Sequence, residues 1–376
     1  MTGGQSRTPY IVAIFGLSVL ASFVVLNRWL VTDIGLLSFG RVWQFYISYE
    51  DFGFIRRALV GTLFSITGVN TLFPNEYHFA LLVQHVAILG FAGLIFSYIH
   101  KRGIEDVPFV ATIALSPALI IQSGYTTGSL DIFVLILAAV NILYCRRLIP
   151  FCIVLITGVL VHELFVFTIP AQLVACYIHL RQQGRGDLFV PMALAAASAL
   201  SAVVVVAAFG VTDLDVLRFE SVMEAKLPFA AGQHDLWSGY YEVSQSASDN
   251  ISDTTSTFAE NMIRDAIFLA IPCLYIALVI SRLATCSRSG LEKAMLVGSS
   301  VFPLFAALVA TDLYRWIGMS ANIGLLLTLF SVGQGFDARP KFTVALLPFC
   351  LLAPLGAAQT DWPFPIHQSV WQALIS

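Results

Sequence analysis

Apolar runs of membrane-crossing length recur along this chain, each closed by a short polar stretch, and that alternation predicts an all-α, polytopic membrane protein. The runs fall at residues 10–30, 78–99, 107–122, 132–144, 148–161, 164–180, 188–210, 263–283, 294–310, 316–332 and 342–357, which makes eleven expected spans. Residues 59–73 are also apolar at helical spacing (Leu59, Leu63, Ile66, Val69), but the stretch is short and carries Gly61 and Gly68. It reads as a helix lying at the membrane surface after the first outward loop, residues 32–57. The rival reading has it cross fully, which moves Arg28, Arg41, Arg56 and Arg57 to the cytoplasmic side; its shortness and its glycines weigh against that.

Composition agrees with the pattern. The chain is 58% hydrophobic and 11% charged with mean hydropathy +0.82, values of a membrane protein with no room for a separate soluble domain. No small-residue cleavage pattern follows residues 10–30, so this run is expected to be an uncleaved anchor. Three parts result: a membrane module over 1–210, an outward acidic loop over 211–262, and C-terminal membrane helices over 263–376.

Charge sets the expected orientation, because Lys and Arg collect at cytoplasmic span ends. Arg7, Lys101, Arg102, Arg146, Arg147, Arg181, Arg185, Arg282, Arg288, Lys293, Arg339 and Lys341 fall on one side with few acids beside them. This predicts a cytoplasmic N-terminus and an outside C-terminus, in a plasma membrane such as the bacterial inner membrane. The six cysteines lie within spans or at their cytoplasmic ends, with no CxxC pair and no zinc-ligand spacing, and read as structural. Trp29, Trp43, Trp316, Trp362 and Trp371 sit near outer interfaces, where belt anchoring explains them.

Candidate chemistry concentrates in Tyr49-Glu50-Asp51-Phe52-Gly53-Phe54-Ile55-Arg56-Arg57. A carboxylate can take a proton from a hydroxyl, and adjacent guanidiniums can hold a phosphate. The plain alternative is an ordinary solvated pair of acids, although two arginines at a helix start call for an anion nearby. Residues 123–131 (Ser-Gly-Tyr125-Thr-Thr-Gly-Ser-Leu-Asp131) suit sugar hydroxyls, while Asp131 equally suits a helix N-cap. His162-Glu163 breaks two apolar runs and reads either as cavity-facing or as an interfacial turn. Asp312 and Arg315 share one helical face, as an internal ion pair or as a lipid-phosphate contact. The acidic loop holds nine acids against Arg218 and Lys226, a net charge of −7 that makes nucleic acid an unsuitable partner. Its Trp237-Ser238-Gly239-Tyr240-Tyr241 would suit stacking on sugars, and Asn250-Ile251-Ser252 is a formal glycosylation sequon.

The order of first span, outward loop with an acidic pair (Glu50-Asp51), and a hairpin from Ser116 to Asp131 resembles the GT-C superfamily of membrane glycosyltransferases. The resemblance covers about the first 180 residues and is one of layout; the last spans match no subgroup. It implies transfer of a sugar from a polyprenyl-phosphate donor to a glycan, lipid or protein acceptor on the outer face. It implies Asp51 as general base with Glu50 second, and a surface helix after the loop. The residues then suggest Arg56, Arg57 and Arg315 for the donor phosphate, and Asp131, Tyr125, His162, Glu163 and Asp312 on the sugar or acceptor side. A divalent cation, Mg or Mn, held by Asp51 with His162 and Glu163, is a further expectation. A polysaccharide polymerase or ligase, a transporter and a non-catalytic scaffold are the competing classes, although the acidic loop disfavours the first and no internal repeat favours the second.

Overall fold

The computed structural model describes residues 7–27, 41–73, 75–124, 128–184, 187–210, 215–228, 235–244, 270, 272–286, 289–308, 313–336 and 340–352. Every regular element among them is helical. In chain order these are α1 (Thr8–Leu26), α2 (Tyr49–Phe52), α3 (Ala58–Thr67), α4 (Glu76–Lys101), α5 (Val107–Ala114), α6 (Asp131–Leu143), α7 (Leu148–Val161), α8 (Ile169–Gln182), α9 (Phe189–Phe209), α10 (Val216–Lys226), α11 (Asp235–Ser244), α12 (Pro272–Ala284), α13 (Gly290–Val301), α14 (Leu313–Gly333) and α15 (Pro340–Leu352).

Six stretches among the described residues are long and apolar enough to cross a membrane: Thr8–Leu26, Glu76–Lys101, Glu163–Gln182, Phe189–Phe209, Gly290–Leu308 and Arg315–Gly333. This is an integral membrane architecture; the eleven expected spans are not confirmed, and three of them (263–283, 294–310 and 342–357) lie partly outside the described residues. Elsewhere the difference has local causes. Residues 107–122 do not form one helix: α5 ends at Ala114, and Pro117 follows at once. At 13 and 14 residues, α6 and α7 rise only about 20 Å, short of the roughly 30 Å hydrocarbon core. The expected polar loop at 211–262 is partly helical, since α10 and α11 lie within it. α3 is ten residues long and stops at Gly68 (φ 66°), too short to cross.

The chain divides into two compact units. The first comprises residues 1–25, 88–125 and 257–376. Its α14 is buried from Arg315 through Ser331. The break after α5 leaves backbone carbonyls without helical partners, and two buried serines one turn apart on α1 supply them: Ser18 Oγ donates to the Ala114 carbonyl (2.6 Å) and Ser22 Oγ to that of Ile120 (3.1 Å).

The second unit comprises residues 26–87 and 126–256. Within it α7 packs on α6 and α9, and α6 on α8. A buried polar chain crosses the α6–α8 seam, from Asn141 Nδ2 to Gln172 Oε1 (2.7 Å) and from Gln172 Nε2 to Thr168 Oγ1 (2.8 Å). α3 lies against residues 42–48 at such close range that a Cβ on Gly61 would overlap the Ile47 carbonyl.

Candidate functional site

The polar stretch between α1 and α3 is built on a buried 3-10 turn, Val42–Phe45. Gln44 Oε1 accepts the backbone N–H of Leu130 (3.2 Å), and Gly128 (φ 79°) lies so near Arg41 and Val42 that an added Cβ would come within 2.8 Å of the Val42 nitrogen. These contacts bring the start of α6 beside the turn. Asp131 is the first residue of α6 after its cap, Leu130, so it contributes charge to the first turn and is not itself the N-cap. It is buried, and its N–H donates to Ser129 Oγ (3.3 Å).

Ser48 precedes α2 but leaves its capping role unused; its hydroxyl donates to the Asp51 carboxylate. Lys226, the last residue of α10, also reaches Asp51 and adds contacts to the Tyr46 carbonyl (3.4 Å) and Ser48 Oγ (3.5 Å). Three acceptors from residues 46–51 therefore face the three hydrogens of one ammonium. Tilted packing of the Phe219 ring in α10 on Phe52 in α2, with centroids 5.2 Å apart, holds the two helices in place for this contact. Glu50 is exposed on the same one-turn helix, with Ser65 Oγ 3.5 Å from its carboxylate.

α2 ends at Gly53 (φ 68°), and the backbone N–H of Arg56 donates to the Gly210 carbonyl (2.9 Å). Arg57 then takes a left-handed backbone (φ 66°), the one non-glycine among the described residues to do so. That conformation costs on the order of 1–3 kcal/mol and persists only where the surroundings over-determine it. Here they do: Arg57 Nε donates to both oxygens of Glu163 (2.9 and 3.1 Å), Nη2 also reaches Glu163, and Nη1 meets the carboxylate of Glu242 on α11. Arg56 donates to the backbone carbonyl of the same Glu242.

Burial lowers the affinity of the Arg57 guanidinium for its proton, but Glu163 and Glu242 outweigh it and hold the group above the usual arginine range. Burial dominates at Arg56 and pulls it below that range. The phenols of Tyr46 and Tyr49 are raised by burial, Tyr46 also by the Glu76 charge.

His162 is fully buried at the start of the 3-10 turn Glu163–Thr168. Its Nδ1 lies 3.2 Å from the Leu164 N–H and 3.2 Å from Glu163 Oε2. A neutral Nδ1 accepts the first and a protonated one donates to the second; one nitrogen serves one of them at a time.

Of the candidates read from the sequence, Asp51, Glu50, Arg56, Arg57, Asp131, His162 and Glu163 belong to the second unit, and Arg315 to the first. Arg315 is buried there, its guanidinium 5.2 Å from the Trp316 ring centroid. Tyr125 and Asp312 lie outside the described residues, so neither the sugar-side role of Tyr125 nor the Asp312–Arg315 pair enters the geometry. The anion that Arg57 calls for is met within the chain by Glu163 and Glu242. Glu163 is correspondingly an arginine partner, and among the described residues no three His, Cys, Asp or Glu side chains form a metal-binding group.

Sequence reasoning missed Lys226 and Glu242. The first was legible as one of only two basic residues in a loop of nine acids. The second was indistinguishable from its acidic neighbours. No family model, curated protein or solved structure matches the chain.

Proposed function

We propose that the chain is a membrane glycosyltransferase that moves a sugar from a polyprenyl-phosphate donor to a hydroxyl acceptor on the outer face, with Asp51 as general base. The observation that supports this reading is the ion pair of Asp51 with Lys226, five residues before the half-buried Arg56, on the polar stretch of a chain otherwise built for lipid. The chemistry needs few groups, since a polyprenyl phosphate is already a competent leaving group.

In this reading the donor phosphate draws Lys226 from Asp51, and Arg56 adds a second cation. Asp51 takes the proton from the acceptor hydroxyl as its oxygen bonds to the anomeric carbon. The bond from that carbon to the phosphate oxygen breaks, and the electron pair leaves with the polyprenyl phosphate. Asp51 then releases its proton to the departing phosphate or to water. Arg57 organises the site by binding Glu163 and Glu242 and touches neither substrate.

The test uses the full chain in liposomes, supplied with polyprenyl-phosphate hexoses and pentoses and a mixture of glycan and lipid acceptors. Transfer is expected from the unaltered protein and a loss of about a thousandfold from Asp51→Asn, the usual scale for removing a base. Undiminished transfer by folded Asp51→Asn excludes Asp51 as the base. If the unaltered protein neither binds a polyprenyl phosphate nor transfers any sugar, the glycosyltransferase reading fails.

A further inference from the structure

Within the first unit, Arg282 near the end of α12 is 2% exposed, one of the largest side chains so fully enclosed. Its Nη1 lies 3.3 Å from Thr285 Oγ1 and 3.9 Å from Cys286 Sγ, and its guanidinium carbon 5.6 Å from the Phe109 ring centroid. Thr285 Oγ1 itself donates to the Arg282 carbonyl (2.7 Å), which closes the turn around the arginine and fixes the hydroxyl lone pairs toward Nη1. No carboxylate pairs with it among the described residues, and Nε and Nη2 have no hydrogen-bond partner.

The pattern of what is used and what is left is specific. Nε–H and the outer Nη2–H point in parallel from one edge of the planar guanidinium. That edge is the side-on fork that takes two oxygens of a carboxylate or phosphate at once. Thr285, Cys286 and Phe109 occupy the other edge and a face, so the arginine is oriented as well as enclosed. A buried guanidinium with an idle fork is strongly disfavoured unless an anion completes it.

The geometry points to Arg282 as a phosphate-binding site in the first unit, its Nε and Nη2 holding two oxygens of a phosphate. The phosphate comes either from an anionic lipid headgroup or from free inorganic phosphate. The site involves none of the residues of the proposed transfer reaction and stands without it.

Full-length protein extracted in mild detergent is stripped of lipid, then titrated separately with inorganic phosphate, phosphatidylglycerol and diacylglycerol, with binding followed by native mass spectrometry and by the unfolding midpoint. One saturable phosphate-bearing ligand per chain is expected to raise the midpoint, with no response to diacylglycerol. Response to inorganic phosphate alone identifies a small-anion site; response only to phosphatidylglycerol identifies a headgroup site. Arg282→Met removes the buried charge, so it is expected to melt no lower than the unliganded protein and to bind at least about tenfold more weakly. Arg282→Lys keeps the charge but lacks the fork, and is also expected to bind about tenfold more weakly. Absence of saturable binding to the unaltered protein, or equal binding by either variant, overturns the assignment.

Discussion

Arg57 grips Glu163 side-on, its Nε 2.9 and 3.1 Å from the two carboxylate oxygens, while its own backbone is held left-handed at φ 66°. The pair joins the N-terminus of α3 to the turn before α8, so a strained residue and its charge partner lock two elements far apart in sequence.

Removing that partner strands a buried cation. Because the Glu163 side chain keeps 26% of its exposure, Glu163→Gln is expected to cost about 2 kcal/mol, below the full penalty for breaking a buried pair. Arg57→Lys loses the fork and is not expected to restore the coupling. A double-mutant cycle on Arg57 and Glu163, read by unfolding in detergent, checks this; additive effects would dismiss the pair as a lock.

Glu242 is more exposed, at 32%, and its contribution is smaller. Glu242→Gln is expected to cost about 1 kcal/mol and to weaken further in salt. Amide exchange should accelerate over α11 (Asp235–Ser244) and leave α7 unchanged. Unchanged protection of α11 would show that Gly239 on the Trp43 ring and Tyr240 on Phe219 hold the helix unaided.

Alkaline pH should loosen the polar stretch through its tyrosines. Tyr46 is raised by burial and by Glu76, and Tyr49 by burial, so both stay protonated in the folded chain where the unfolded chain ionises, near pH 10. The unfolded state then binds fewer protons, and stability declines as pH rises above that value. Tyr46→Phe should flatten the decline between about pH 10 and 11, measured as the unfolding midpoint against pH. Arg57, raised above the arginine range, stays charged throughout this window and adds no slope.

Gly61 tests the docking of α3. A methyl group there would overlap the Ile47 carbonyl, a backbone atom that cannot swing away, so Gly61→Ala is expected to cost about 2–3 kcal/mol. Gly90→Ala in α4, where a Cβ would meet nothing within 4 Å, should instead be neutral or stabilise by up to about 1 kcal/mol. Equal effects in thermal unfolding would contradict the close approach.

The proposed outward placement of α2 is tested by labelling. Ser48 is buried and engaged with Asp51, so the exposed Glu50 is the better probe. Glu50→Cys, in a background without the six native cysteines, is expected to react with a membrane-impermeant thiol reagent in intact cells. Reaction only after the membrane is opened would separate Asp51 from the outer face and with it the proposed reaction.

Much of the helical plan was legible because lipid imposes a length and a composition on any segment that crosses it. Residues 10–30, 78–99 and 188–210 declare themselves by that rule and correspond to α1, α4 and α9. The glycines of 59–73 likewise announced a short helix, Gly68 by ending it and Gly61 by admitting a neighbouring backbone. Apolar runs of intermediate length misled, because 107–122 is apolar enough to span yet its helix ends at Ala114, ahead of Pro117, and serines of α1 donate to the Ala114 and Ile120 carbonyls. That compensation depends on residues about a hundred positions away.

The chain's sparse charge marked Asp51, Arg56, Arg57, His162 and Glu163 as unusual by residue type alone, and so the sequence determined which side chains were candidates. It could not determine their pairing. An arginine accepts any anion that reaches its fork, and only the tertiary structure decided that Arg57 meets Glu163 and Glu242 while Asp51 meets Lys226. Partner choice between charges is a matter of distance and burial, and neither is written in the local order of residues.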